Sequence, residues 1–267
     1  MIDLHCHILP GMDDGAQTSQ ESMEMALCAL EDGIHTIVAT PHSANGIYHN
    51  PAELIENKIR ELRKLLEAHK IPLDVCFGAE IRIHENLADG IYANQNMTIN
   101  QKGRYALVEF PHDMLPPGIC QVLFQLIVNG VTPVLAHPER NTAIQHNPKP
   151  LFDLVNMGCL VQLTAMSITG ELGRDAMQTA HLALRHRLAH VIATDSHNAD
   201  ARPPILSQAV AAARDILGDF SEVYKMVADN PRAIIAGKSF NPPAPLPIES
   251  RRRKRWPARL FGYLISA

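Results

Sequence analysis

His35-Thr-Ile-Val-Ala-Thr40 is a short apolar run rich in β-branched residues, of strand length and without helical period. Pro51 to His69 then places Ile55, Ile59, Leu62, Leu65 and Leu66 along one helical stripe, and Leu73-Asp-Val-Cys-Phe-Gly-Ala79 returns to a strand-like run. Strand, one-faced helix and strand make a β-α-β unit, whose crossover joins parallel strands. The pattern recurs in both directions. Strands are predicted near 2–4, 35–40, 73–79, 105–109, 132–136, 159–163 and 190–194. Between the first two, Thr18-Ser-Gln-Glu21 is a capping-box pattern, followed by Met23, Ala26, Leu27 and Leu30 at helical spacing. Further helices are predicted near 117–129, 149–157, 174–186, 204–217 and 220–228. Seven strand–helix alternations in about 240 residues predict an α/β fold closed, or nearly closed, into a barrel.

The chain has 267 residues, 46% hydrophobic and 19% charged, enough to bury a large core as one main domain. Charge divides it. Residues 241–267 carry Arg251, Arg252, Arg253, Lys254, Arg255 and Arg259 against Glu249, a net of +5, so the total of −4 leaves −9 on residues 1–240. An acidic body argues against nucleic acid as substrate, because phosphate-backbone binding needs many basic contacts. After Asn230-Pro231 the pattern decays into the Pro-rich run Asn241-Pro-Pro-Ala-Pro-Leu-Pro247. The expected division is therefore a domain over 1–240 and a Pro-rich linker with a basic, aromatic tail over 241–267. Cys6, Cys28, Cys76, Cys120 and Cys159 are odd in number and lack paired metal-type spacing, as expected of reduced thiols. Neither a basic leader nor an apolar run of roughly 18 residues is present, which predicts a cytoplasmic protein.

The chemistry collects at strand ends. Alternation along a strand sends His5 and His7 to one side and Cys6 to the other, so His-x-His can grip one ion. Asp195-Ser-His197 repeats that spacing after the apolar run 190–194. His42, Glu80, Glu109 and His137 each fall where a predicted strand finishes, and Asp14 adds a carboxylate from the first loop. Carboxyl ends of parallel barrel strands converge on one face, so these nine residues are predicted to meet there. They exceed one ion's coordination, and imidazole with carboxylate suits Zn, Mn or Fe; two or three divalent metal ions are expected. Arg140 and Arg202 lie within a few residues of proposed ligands, where a guanidinium can hold phosphate oxygens bidentately.

Asp3-Leu-His5-Cys-His7, Met12-Asp-Asp14-Gly15, Gly78-Ala-Glu80, Leu107-Val-Glu109-Phe, Ala136-His137-Pro-Glu-Arg140 and Thr194-Asp195-Ser-His197-Asn with Arg202-Pro-Pro together resemble the polymerase and histidinol phosphatase (PHP) superfamily. More narrowly, they resemble its bacterial protein-tyrosine phosphatases encoded with capsule and exopolysaccharide genes, over about residues 1–236. The resemblance implies a distorted (β/α)7 barrel holding three metals, often manganese. It implies hydrolysis of phosphotyrosine on a membrane-associated bacterial tyrosine autokinase; attack by a metal-bridging hydroxide is the mechanism expected of such a metal site. His5, His7, Glu80 and Asp195 would hold one ion; Glu80 would bridge to a second held by Glu109 and His137; Asp14, His42 and His197 would take the third. Arg140 and Arg202 would clamp phosphate, and His42 or His197 could protonate the leaving phenol.

Two other chemistries fit parts of the sequence. Cys76-Phe-Gly-Ala-Glu-Ile-Arg82 satisfies C-x5-R, the spacing of a cysteine phosphatase, but it overlaps a predicted strand and puts an acid where backbone amides would cradle an anion. The same metal ligands would also serve a phosphatase of a small monoester such as histidinol phosphate. The segment 251–267, with Trp256, Phe261 and Tyr263 after the arginines, could bring the protein to the inner face of an anionic membrane.

Overall fold

The structure is a computed structural model that describes residues 1–93 and 97–248. Among the described residues nine strands, all parallel to their partners, follow one another: β1 (Ile2–Cys6), β2 (Thr36–Ala39), β3 (His42–Ser43), β4 (Asp74–Phe77), β5 (Glu80–Arg82), β6 (Tyr105–Glu109), β7 (Thr132–Ala136), β8 (Leu160–Thr164) and β9 (Val191–Ala193). They pair as β1-β2-β4 and as β3-β5-β6-β7-β8-β9. β2 and β3 are two pieces of one stave, broken at Thr40-Pro41, and β4 and β5 are two pieces of the next, broken at Gly78-Ala79. Seven staves therefore stand side by side in chain order, as the alternation predicts, with two of the predicted strands continued beyond a break by a second, short strand.

Both breaks have local causes. Proline has no N–H to give a ladder. Gly78 is required because a Cβ there would lie 2.6 Å from Val38 Cγ1 and 2.9 Å from Thr40 Cγ2, too close for any side chain. Bonds across the gap, Thr40 N–H to Cys6 O at 2.9 Å and Glu80 N–H to Pro41 O at 3.1 Å, hold the two sheets together. The last stave reaches the first without a continuous ladder. A single bridge pairs Cys6 with Ser196, Asp195 N–H donates to His5 O, and the Asp3 carboxylate accepts from Thr194 N–H and Thr194 Oγ1–H.

Helices cover the outside: α1 (Ser19–Glu31), α2 (Ala52–Ala68), α3 (Leu87–Ala93), α4 (Ile119–Val128), α5 (Thr142–His146), α6 (Lys149–Met157), α7 (Ala165–Thr169), α8 (Arg174–Arg185), α9 (Ser207–Leu217), α10 (Phe220–Tyr224) and α11 (Asn230–Ile235). Thr18 Oγ1 caps α1 by accepting from Glu21 N–H at 3.2 Å, as the sequence pattern predicts. α2 buries Ile55, Ile59, Leu62 and Leu66 from its predicted stripe.

Alternation along the staves divides the core in two. Leu4, Val38, Cys76, Leu107, Val134, Leu160 and Val191 point into the barrel, whereas Ile37, Val75, Val108, Leu135, Val161 and Ile192 face the helices. Ile99 and Ile234 join the inner cluster, with Phe240 packed against it, so the barrel interior is filled rather than open. Each such side chain contributes about 1.5–3 kcal/mol by leaving water. The filled interior leaves the opposite end, where β1, β3, β5, β6, β7 and β9 finish, as the place for polar groups. Residues 241–248 run against α8, with Leu246 N–H donating to His186 O at 2.8 Å and Ile248 packed on the core. The basic and aromatic segment 251–267 lies outside the described residues.

Candidate metal centre

Every proposed ligand but Asp14, which lies in the loop after β1, stands at a stave end or just beyond it. His5 is inside β1 and His7 just after it, both buried, while Cys6 between them turns away to meet Ser196 Oγ at 3.3 Å. The break at Pro41 starts β3 at His42, and the break at Gly78 starts β5 at Glu80, so these two residues face each other in register. Glu109 ends β6. His137, with φ +32°, and Asp195, with φ +53°, sit in left-handed backbone where their strands stop. Non-glycine residues occupy that region only when the surroundings hold them there, as happens at functional sites. Gln162 Oε1 accepts from His137 N–H at 3.2 Å, and His5 O accepts from Asp195 N–H at 2.8 Å.

The nine side chains converge. His5 Nε2 and His7 Nε2 are 3.1 Å apart; Glu80 Oε2 is 3.4 Å from the first and 3.5 Å from the second; Asp195 Oδ1 is 3.4 Å from both. Ligand bonds of about 2.1 Å in tetrahedral array set neighbouring ligand atoms about 3.4 Å apart, so these four atoms have the spacing of one cation's shell. On one side, His137 Nε2 lies 2.7 Å from Glu80 Oε1 and groups with His5 and Asp195. On the other, His42 groups with Glu80 and Glu109, and Asp14 Oδ1 stands 3.5 Å from both His42 Nε2 and His197 Nε2. Three buried atoms of one trio make ion-pair contacts but no hydrogen bond of good geometry: His42 Nδ1 and Glu80 Oε2 lie 2.8 Å apart, and Glu109 Oε2 lies 3.1 Å from Arg82 Nη2. Buried polar atoms satisfied this poorly are costly, and divalent cations would satisfy all of them. The donor set, imidazole and carboxylate without thiolate, fits Mn, Fe or Zn.

Electrostatics point the same way. Burial opposes the charged form of Glu80 and Asp195, but His5 and the other surrounding imidazoles hold both carboxylates well below the usual range. Burial likewise opposes protonation of His7, yet Asp13, Asp195 and Glu80 hold its pKa well above the ordinary value. Glu109 is pushed up to about 7, by burial first and by the charge of Glu80 second. These carboxylates and imidazoles therefore compete for protons that bound cations would replace.

Arg140 and Arg202 both reach Asp195 Oδ2, the second at 2.6 Å, and remain about a quarter exposed at the mouth. Relative to the grouping implied by the resemblance, the first four ligands assemble as implied, and Asp14, His42 and His197 do so with His7 added. Glu109 and His137 divide: Glu109 sits with His42, His137 with His5 and Asp195.

Sequence reasoning misses three residues that shape the site. Asp13 Oδ2 accepts from His7 Nδ1 at 2.6 Å and from His42 N–H at 2.8 Å, while its Oδ1 takes Gly15 N–H. Gln162 Oε1 lies 3.0 Å from His5 Nδ1. Arg82 Nη2 lies 3.1 Å from Glu109 Oε2. The available signals were a polar residue inside the apolar run Leu160-Val-Gln-Leu, an acid beside the His-x-His loop, and a base two positions after Glu80. The C-x5-R reading fails on this geometry. Cys76 belongs to the inner apolar cluster, burial and Asp74 push its thiol up to about 11, and Arg82 is turned to Glu109.

Comparisons with known proteins place the chain. Its residues 1–236 match the family described as capsular polysaccharide synthesis, CpsB/CapC. It is 36% identical over 263 residues to the tyrosine-protein phosphatase YwqE of Bacillus subtilis, covering 98% of this chain and all of that protein. It is 32% identical over 240 residues to the tyrosine-protein phosphatase CpsB of Streptococcus pneumoniae, covering 88% and 98%. A solved structure from work on YwqE and CpsB, described as unique metal-dependent tyrosine phosphatases, superposes with a TM-score of 0.87 at 36% identity, over 94% of this chain and all of that one. A β-aspartyl dipeptidase of Fervidobacterium islandicum, at 14% identity and TM-score 0.53, shares the fold alone. The chain belongs to the CpsB/CapC family of capsular polysaccharide synthesis proteins.

Proposed function

We propose that this chain is a metal-dependent protein-tyrosine phosphatase that removes phosphate from a tyrosine-phosphorylated protein. The observation that carries the reading is the convergence of five imidazoles and four carboxylates beneath two guanidiniums at one barrel mouth. His5, His7, Asp14, His42, Glu80, Glu109, His137, Asp195 and His197 would hold two or three divalent ions, manganese first among the candidates. Such ions supply a water of lowered pKa and neutralise charge on the phosphoryl oxygens.

The chain's own residues account for the remainder. Arg140 and Arg202, both paired with Asp195 Oδ2, would offer planar N–H forks to the phosphoryl oxygens, where charge develops in transfer. Asp195 in turn holds both guanidiniums in place. His42 and His197 flank Asp14 Oδ1, and whichever of them does not hold an ion would be the one to deliver a proton to the departing phenolate, which needs little help because its free pKa is about 10. The relatives support a phosphotyrosyl substrate over a small monoester such as histidinol phosphate, since they are named tyrosine-protein phosphatases. The substrate we favour is a membrane-associated tyrosine autokinase of capsule or exopolysaccharide synthesis, met in the cytoplasm.

No helix among the described residues is long and apolar enough to cross a membrane. We assign the segment 251–267 to contact with anionic headgroups, through its arginines and aromatic residues. Full-length protein should co-sediment with phosphatidylglycerol vesicles and a version ending at Ile248 should not; equal sedimentation would remove that assignment. For the chemistry itself, iodoacetamide-treated protein should release phosphate from a phosphotyrosyl peptide as fast as untreated protein, whereas a chelator should abolish release. Loss on alkylation with resistance to chelation would overturn the reading.

A further inference from the structure

We propose that Tyr48 is the specificity-determining residue for an aryl phosphate, its ring forming the wall against which the substrate's phenyl ring lies; this rests on the phosphatase reading above. The mouth offers a phosphoryl group ample partners in Arg140, Arg202 and the metal ligands. All of those are charged or polar, and none provides a flat apolar face. The ring of a phosphotyrosyl side chain, directly attached to the ester oxygen, must nevertheless leave water beside them.

Tyr48 supplies the missing face. Its ring lies parallel to that of His42, at 6° with centroids 6.1 Å apart, so it flanks the cluster at the partly exposed ligand. The preceding residue, Ile47, is 82% exposed, the highest value among the exposed large hydrophobic side chains of the described residues. An apolar pair turned outward would be unremarkable in a slack loop, but this loop is held. Asn45 Oδ1 accepts from Ile47 N–H at 3.0 Å and Tyr48 N–H at 2.8 Å, and Ser43 Oγ donates to Asn50 O. Asn50 Nδ2 donates to Met12 O at 2.9 Å and to His42 O at 2.8 Å, which ties the loop to the same segments that carry Asp14 and His42. The ring is thereby fixed relative to the metal centre before substrate arrives, and offset or edge-to-face contact with a second ring favours an aryl over an alkyl ester.

A ring that only shields His42 would look similar, so the test compares two ligands rather than one. Binding of phenylphosphonate and methylphosphonate to manganese-loaded, full-length protein is measured by calorimetry for the wild type, Tyr48→Ala and Tyr48→Phe, with manganese content assayed in each. The wild type should prefer phenylphosphonate. Tyr48→Ala should lower that preference by about tenfold and Tyr48→Phe should keep it within about twofold. An equal loss of both affinities in Tyr48→Ala, with or without loss of manganese, would reduce Tyr48 to a support for His42 and overturn the proposal, as would a wild type without preference. Failure of the phosphatase reading is seen separately, as a wild type that binds these ligands yet releases no phosphate from a phosphotyrosyl peptide.

Discussion

Asp13 spans two ligands with a single carboxylate, accepting from the His7 ring and from the His42 main chain. A carboxylate on the far nitrogen of a ligand imidazole fixes its tautomer and orientation. Asp13→Asn should weaken manganese binding about 10–100-fold, measured by competition with a chromogenic chelator, while the metal-free protein melts close to the wild type. Far from the site, His190 is buried with Val161 N–H donating to its Nδ1, and burial lowers its pKa to about 4. The unfolded chain takes up this proton near pH 6.5; the folded one refuses it until about pH 4. Stability is therefore fully present above about 6.5 and is lost as pH falls towards 4, by up to about 3 kcal/mol. The fall in urea midpoint from pH 7 to pH 5 should be smaller for His190→Asn than for the wild type. Residues of this kind were illegible in the sequence. Eight of the nine ligand candidates could be read because each falls at or just after a predicted strand end, with Asp14 added from the first loop, but Asp13, Gln162 and His190 act through contacts that only the folded chain makes.

At the scale of elements, the two broken staves carry the functional design. The breaks at Pro41 and Gly78 restart the chain as β3 and β5, which bring His42 and Glu80 into register across the mouth. The sequence predicts one strand over 35–40 and one over 73–79. Their continuation as second, short strands depends on hydrogen bonds to neighbours, Glu80 N–H to Pro41 O among them. Gly78→Ala would drive a Cβ into Val38 and Thr40 and force β2 and β4 apart. A cost of about 1–3 kcal/mol is expected, read as a lowered urea midpoint, together with weakened manganese binding as Glu80 shifts. An unchanged midpoint would show that the close approach is relieved elsewhere at no cost.

Across the whole molecule, strand–helix alternation was enough to read the barrel, because a parallel stave and its covering helix each leave a period in the sequence. The grouping of ligands was not, because it depends on side-chain contacts that only the folded chain makes: Glu109 gathers with His42 and Glu80, and His137 with His5 and Asp195. The acidic body concentrates Asp14, Glu80, Glu109 and Asp195 among five imidazoles at one end, so cations should stabilise the fold as well as act in it. Raising manganese to about 100 times its dissociation constant should stabilise the protein by about 2.7 kcal/mol per site, visible as a rising melting temperature. Magnesium, a harder ion that keeps its waters, should do less. The most direct test of the central claim is phosphate release from a phosphotyrosyl peptide and from histidinol phosphate by metal-stripped protein, before and after manganese is restored. Turnover of the peptide, absent when stripped and regained with manganese, at far greater kcat/KM than histidinol phosphate, is the expected result; release that survives stripping, or a preference for histidinol phosphate, would contradict it.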